Sequence, residues 1–128
     1  MDASRLKQIE IFKDLPEDAL ELLAGRAQEM SADEGDAVIK AGAFADQLVA
    51  IEDGTVEVQR KDEVVATLGA GDVIGEAGVV RHALRNATVV ATSPLKAIAI
   101  AHSDIKQIRR ENPDFDERIK AVTEDRTY

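Results

Sequence analysis

Short apolar runs separated by glycines, between residues 30 and 101, constrain the fold of this chain most strongly. Turns are expected at the glycines of this stretch, namely Gly35, Gly42, Gly54, Gly69, Gly71 and Gly75. The runs are rich in valine and isoleucine, and the strand candidates are Val38-Ile39, Leu48–Ile51, Val56/Val58, Val64-Val65, Val89-Val90 and Ile98/Ile100. Residues 60–63 (Arg-Lys-Asp-Glu) form a polar hairpin tip. Several short strands at this spacing predict a sandwich or roll rather than a parallel α/β sheet.

Helical patterns flank this region on both sides. Ser4 is expected to cap a first helix, and the acids after Pro16 favour a second helix that Gly25 is expected to end. Ser103 is expected to cap a third helix, and Asn112-Pro113 ends it and begins a fourth. The predicted fold class is therefore α+β and mainly β: an antiparallel β-roll (double-stranded β-helix, or jelly roll) between N-terminal and C-terminal helices.

The chain length of 128 residues suits one domain. We expect N-terminal helices over 1–27, the roll over 28–101 and C-terminal helices over 102–126. No apolar run is long enough to cross a membrane, and the first residues lack the pattern of a signal peptide. Together with the absence of cysteine, this predicts a cytoplasmic protein without a membrane partner.

The charges are unevenly distributed. A net charge of −9 should repel nucleic-acid phosphates and anionic membranes, which argues against a nucleic-acid partner. Residues 77–103 nevertheless contain no acid, while Arg81 and Arg85 lie close together within this stretch. An anion could therefore bind there. Arg81 itself is more typical of a solvated loop residue.

The segment from Gly75 to Arg85 carries the clearest chemistry. Gly75 and Gly78 flank a short apolar turn that could form one helical turn, whose free N–H groups would point at an anion. Glu76 offers a carboxylate to a pair of hydroxyl groups, and Arg85 offers the planar donor fork that suits phosphate oxygens. This combination predicts an anionic phosphate joined to a group that carries hydroxyls.

This segment resembles the cyclic-nucleotide-binding domains of protein kinase A regulatory subunits, the catabolite activator protein and cyclic-nucleotide-gated channels. The family pattern is Phe-Gly-Glu-Leu-Ala followed by Pro-Arg-Ala-Ala-Thr-Val, with nine residues from Glu to Arg. The chain keeps that spacing and reads Ile74-Gly75-Glu76-Ala77-Gly78, then Leu84-Arg85-Asn86-Ala87-Thr88-Val89. Ile74, Leu84 and Asn86 depart from this pattern, and Ala43 stands after Gly42 where the family usually has an acid. Asn86 leaves the choice between cAMP and cGMP open.

The resemblance implies a sensor that binds cAMP or cGMP and is not an enzyme. Glu76 would bind the ribose 2′-hydroxyl and Arg85 the cyclic phosphate. The remaining ligand-binding residues implied are Gly75, Ala77, Gly78, Asn86 and Ala87. The apolar stripe Phe115, Ile119 and Val122 on the C-terminal helix would close over the base, although such a stripe is more often core packing or a dimer face. No cofactor other than the nucleotide is implied.

Alternatives to this sensor remain open at the sequence level. Glu76 and Arg85 could pair with each other in a nucleotide-free roll that serves as a protein-interaction or scaffolding subunit. A cupin-like metal enzyme would need a cluster of His and Glu, whereas His82 and His102 are far apart in the sequence. Too few residues follow Ser103 for a DNA-binding domain, so we expect the signal to pass to an effector protein or to a segment outside this sequence.

Overall fold

The computed structural model describes residues 1–43, 46–76, 85 and 87–126 of the chain. Two short 3₁₀ segments, Ala3–Gln8 and Glu10–Phe12, precede helix α1 (Glu17–Arg26). Helices α2 (His102–Glu111) and α3 (Pro113–Asp125) follow the last strand. The described strands are β1 (Gln28–Ala32), β2 (Ala37–Ile39), β3 (Gln47–Asp53), β4 (Thr55–Arg60), β5 (Glu63–Gly69), β6 (Val73–Ile74), β7 (Thr88–Ala91) and β8 (Leu95–Ala101).

The strands form two four-stranded sheets in which every pair is antiparallel. One sheet has the order β1-β8-β3-β6, which we call the inner sheet, and the other has the order β2-β7-β4-β5, which we call the outer sheet. The predicted antiparallel β-roll with helices on both sides, an α+β fold that is mainly β, is confirmed. Strands β1 and β6 were not among the predicted strands, because β1 is mostly polar and β6 has only two residues.

The inner sheet separates two apolar clusters, and alternation along its strands explains how. On β3, Leu48 and Ala50 face the helices, whereas Val49 and Ile51 face the outer sheet. Side chains on a strand alternate between the two faces, so a strand covered on both sides is apolar at every position. This is why the run from 48 to 51 has no polar residue in it.

The helical layer packs on one face of the inner sheet. Phe12 from the N-terminal segment and Phe115 from α3 stack, with ring centroids 5.7 Å apart. Around them lies the first apolar cluster, hereafter the helical cluster, which includes Leu6, Leu20, Leu23, Ile98, Ile100, Ile105, Ile108 and Ile119. The N-terminal and C-terminal helices thus share one core, which their separation in sequence did not indicate.

Several predicted helix ends are wrong by one or two residues, or differ in kind. The first helix is 3₁₀ and is capped by Asp2, whose carboxylate accepts a hydrogen bond from the Ser4 N–H at 2.8 Å. Helix α1 continues past Gly25 to Arg26. Helix α2 begins one residue before Ser103, since the His102 N–H donates to the Asp46 carbonyl at 2.8 Å and a side-chain cap is not required.

Two predicted breaks are confirmed. Pro113 occupies the first turn of α3, while the Asn112 side chain donates to the Ile108 carbonyl at 3.1 Å and so closes α2 instead of capping α3. At the hairpin between β4 and β5, Lys61 and Asp62 have positive φ angles of 52° and 65°, as a tight two-residue turn requires.

Within the described part of the chain, no helix is long and apolar enough to cross a membrane.

Candidate ligand site

Glu76 is a buried carboxylate two residues after the end of strand β6. Its residue is only 2% exposed, although it follows a strand whose two residues, Val73 and Ile74, are apolar. Ile74 faces the roll interior, and the strand ends there because Gly75, with a φ of +80°, turns the chain before Glu76. Because burying an ionised carboxylate is costly without polar partners, its contacts determine what this position can do.

Arg85 lies next to the glycine that precedes Glu76, and its residue is 9% exposed. Its Nη1 donates to the Gly75 carbonyl at 2.7 Å, and its Nη2 donates to the Gln47 carbonyl. Its backbone is held as well, since the Arg85 N–H donates to Ala43 O and Arg85 O accepts from Gly42 N–H, both at 2.8 Å. The guanidinium is therefore fixed beside the residue that precedes Glu76.

Gly75 is required by this approach. Its φ of +80° lies in the left-handed region that favours glycine. A Cβ built at Gly75 would lie 2.3 Å from Arg85 Nη1 and 3.1 Å from Ile39 Cδ1. The position thus admits no larger side chain while Arg85 stays where it is.

Arg126, directly after helix α3, is the partner of Glu76. Its Nη1 lies 2.7 Å from Glu76 Oε2 and also donates to the Val73 carbonyl at 2.6 Å. The two side chains of this ion pair are only 13% and 3% exposed. The end of the C-terminal helix is therefore joined to the segment that carries the candidate site.

The electrostatics of the site follow from burial. Removal from water raises the pKa of Glu76, and the positive charges of Arg126 and Arg85 oppose that rise. Burial lowers the pKa of Arg85, while the negative charges of Asp46 and Glu76 act in the opposite direction. Glu76 and Arg85 thus affect each other through space, but among the described residues their direct partners are different groups. The alternative of a simple Glu76–Arg85 ion pair does not describe this structure.

A cavity of about 260 Å³ lies against Arg85. Its lining combines apolar side chains from β2 and β3 with charged groups, and includes Val38, Ile39, Lys40, Asp46, Val49 and Arg85. Apolar walls with a few charged groups are typical of a site for an amphipathic small molecule.

The remaining predicted site residues are distributed as follows. Ala87 is buried in the roll interior, just before β7. Ala77, Gly78 and Asn86, and with them the helical turn expected between Gly75 and Gly78, lie outside the described residues.

The predicted lid stripe packs into the helical cluster. Phe115 and Ile119 are 3% and 0% exposed, and Val122 packs against the same cluster. Among the described residues that follow α3, Arg126 reaches Glu76. Movement of the stripe over a ligand stays a prediction.

Sequence reasoning missed Arg126, although a signal for it exists. Phe115, Ile119, Val122 and Arg126 follow one another at helical spacing, so an arginine continues an apolar stripe. A charged residue that continues the buried face of a helix needs a buried partner, and the structure pairs Arg126 with Glu76. In the described parts of the chain, no group of three or more His, Cys, Asp or Glu side chains is arranged to hold a metal ion.

Comparison with known proteins identifies the family. The family model described as "Cyclic nucleotide-binding domain" matches residues 29–112. The cAMP-dependent protein kinase regulatory subunit of Yarrowia lipolytica is 33% identical over 105 residues, which cover 80% of this chain. This chain spans only 28% of the length of that subunit.

Two solved structures share the fold. The regulatory domain of Toxoplasma gondii PKA, crystallised with cAMP, superposes with a TM-score of 0.76 at 24% identity, over 83% of this chain and 42% of that one. The regulatory subunit of a cAMP-independent protein kinase A from Trypanosoma brucei gives a TM-score of 0.84 at 21% identity, over 94% and 44%. The family model and the Yarrowia lipolytica relative confirm the resemblance drawn from the Ile74–Val89 motif, and the chain belongs to the cyclic nucleotide-binding domain family.

Proposed function

We propose that this domain is a non-catalytic sensor of cAMP or cGMP, in which Glu76 binds the ribose 2′-hydroxyl and Arg85 binds the cyclic phosphate. The observation that carries the proposal is a pair of buried, opposite charges. They lie beside one glycine turn and are bonded to other groups rather than to each other. The nucleotide has a matching pair, an anionic phosphate and a neighbouring sugar hydroxyl.

The contacts of Arg85 favour an anionic ligand. Among the described residues, its side chain donates to two uncharged carbonyl oxygens, those of Gly75 and Gln47. A guanidinium binds an anionic oxygen more strongly than a neutral one, because a charge-assisted hydrogen bond is roughly twice as strong. A phosphate that entered the adjacent cavity could exchange these neutral contacts of Arg85 for charge-assisted ones.

Relatives support a cyclic nucleotide as the ligand but leave the purine open. The similar Yarrowia lipolytica protein is a cAMP-dependent regulatory subunit, and the similar Toxoplasma gondii structure contains cAMP. The Trypanosoma brucei neighbour with the same fold is the regulatory subunit of a cAMP-independent protein kinase A. Both cAMP and cGMP therefore belong in the test, and the proposed output is a movement of helix α3 that an effector protein detects.

Titration calorimetry with cAMP and cGMP tests the proposal. We expect the Arg85→Ala variant to lose at least about thirtyfold in affinity, since removing one half of a desolvated charge pair costs roughly 2 kcal/mol or more. Arg110→Ala is the matched control, because Arg110 is an exposed arginine of α2. Equal affinities for wild type and Arg85→Ala would remove Arg85 from the site.

A second function is supported by a specific observation. Glu76 and Arg85 both have partners within the protein, as they would in a nucleotide-free roll that acts as a protein-interaction subunit. Thermal unfolding separates the two functions. Ligand at about one hundred times its Kd should stabilise a binding domain by ~2.7 kcal/mol. No rise in melting temperature with millimolar cAMP or cGMP would favour the interaction subunit.

A further inference from the structure

The ion pair between Arg126 and Glu76 has a consequence for ligand binding, provided that the proposed function holds. Arg126 Nη1 lies 2.7 Å from Glu76 Oε2, on the carboxylate that the ribose hydroxyl would need. The ligand-free site thus already has a charged donor on Glu76.

We propose that Arg126 is an internal competitor for the sugar hydroxyl and therefore sets the affinity of the site. In the ligand-free protein its guanidinium holds Oε2 of the Glu76 carboxylate. A bound nucleotide replaces that contact with its 2′-hydroxyl. The affinity that is measured is then the difference between the two interactions.

Burial makes this exchange significant. The two side chains are 13% and 3% exposed, so their ion pair is poorly screened by solvent. A charge-assisted hydrogen bond from arginine is also stronger than one from a neutral hydroxyl. The other ligand contacts, above all the phosphate at Arg85, must therefore supply the free energy that displaces Arg126.

The exchange also connects the ligand to helix α3. Arg126 Nη1 holds the Val73 carbonyl at 2.6 Å together with Glu76, so one nitrogen joins the end of α3 to strand β6. When the nucleotide binds the Glu76 carboxylate, Arg126 loses its ion pair with Glu76 and keeps the hydrogen bond to the Val73 carbonyl. Release of the end of α3 is then driven by the difference in ligand affinity between the joined and released states, as linkage requires.

The test combines one substitution with one change in the ligand. Affinities of cAMP and 2′-deoxy-cAMP are measured by calorimetry for wild type and Arg126→Gln. We expect Arg126→Gln to bind cAMP at least about fivefold more tightly than wild type. Coupling free energies in proteins commonly change an affinity by this factor or more. 2′-Deoxy-cAMP lacks the hydroxyl that displaces Arg126, so its affinity should change less than about twofold.

Arg118→Gln is the matched control on the same helix, since Arg118 pairs with Asp14 at 2.8 Å in a more exposed position. It should leave both affinities unchanged. Arg126→Lys, which keeps the charge, should gain less cAMP affinity than Arg126→Gln. It also serves as a second variant in case Arg126→Gln does not fold.

Three results would overturn the competition. They are a weaker cAMP affinity in Arg126→Gln, an unchanged affinity, and an equal gain for both ligands. Failure of the proposed function is a different result, in which neither wild type nor Arg126→Gln binds cAMP, cGMP or the deoxy analogue. Binding by Arg126→Gln alone would support a competitor strong enough to keep the wild-type site closed.

Discussion

The two ends of helix α3 are attached to the rest of the molecule in different ways. Near its start, Phe115 stacks on Phe12, and Ile119 is fully buried in the helical cluster. At its far end, Arg126 makes polar contacts with Glu76 and the Val73 carbonyl. Apolar burial is non-directional and no small anionic ligand replaces it, whereas a polar contact can be exchanged for another polar group. The start of α3 is therefore a permanent anchor and its end a replaceable one.

The ion pairs around the start of α3 do not alter this contrast. Arg118 and Asp14 have side chains that are 35% and 64% exposed, and exposed pairs of this kind contribute little to stability. Arg109 and Asp116 join α2 to α3 at 2.6 Å and orient the two helices. The anchoring of the start of α3 depends mainly on its aromatic and aliphatic side chains.

The largest effect is expected at the permanent anchor. Phe115→Ala should lower the free energy of unfolding by about 3 to 5 kcal/mol, because it removes a buried ring and leaves a cavity against Phe12. Denaturant unfolding followed by circular dichroism measures this loss. Phe115→Leu, which keeps most of the apolar volume, should lose less than about 1.5 kcal/mol. A loss below ~1 kcal/mol in Phe115→Ala would contradict the contrast between the two ends.

The apolar stripe that anchors the start of α3 could be predicted from sequence, because its residues recur with the period of a helix. The stripe Phe115, Ile119 and Val122 is visible as helical spacing, and the strand run at 48–51 as a short continuous apolar segment. Which element the stripe packs against could not be predicted, because the partner Phe12 lies more than a hundred residues away in sequence. Local patterns specify elements, while long-range packing chooses their neighbours.

The polar contacts at the end of α3 were harder to predict, because they join residues far apart in the sequence. Glu76 and Arg85 stand out through the glycine spacing around them, but the partner of Glu76 is a single arginine near the C-terminus, with no motif. The wrong helix caps have the same origin. The first turn of α2 is satisfied by the Asp46 carbonyl of a neighbouring segment, not by the nearby Ser103. Contacts across the fold replaced those that the local sequence offered.

A second, smaller effect tests the rigidity of the replaceable end. Gly75→Ala should destabilise the protein by about 2 to 4 kcal/mol, because it forces a side chain into the left-handed region and against Arg85. Gly25→Ala is the matched control within α1. A Cβ there meets nothing within 4 Å, and alanine should stabilise the helix by about 0.5 to 1 kcal/mol. Equal stabilities for Gly75→Ala and wild type would mean that Arg85 moves freely away from the Gly75 turn.

The smallest effect concerns the charge at the replaceable end and appears as a pH dependence. Burial raises the pKa of Glu76 above its ordinary value of 4.5, so the native state retains this proton at a pH where the unfolded state has lost it. The free energy of unfolding should therefore fall as pH rises upward from about 4.5, until Glu76 is ionised in the native state as well. One proton cannot contribute more than about 1.4 kcal/mol per pH unit.

Glu76→Gln, which has no such proton to lose, isolates this contribution. The stability of wild type minus that of Glu76→Gln should decrease over this pH window in urea titrations. Glu21→Gln removes an exposed carboxylate from α1 and is the reference for the loss of one negative charge. A difference that increases with pH would mean that the pairing with Arg126 outweighs the cost of burial. The charged contact at the end of α3 would then stabilise the native state, and a ligand would need correspondingly more binding free energy to displace Arg126.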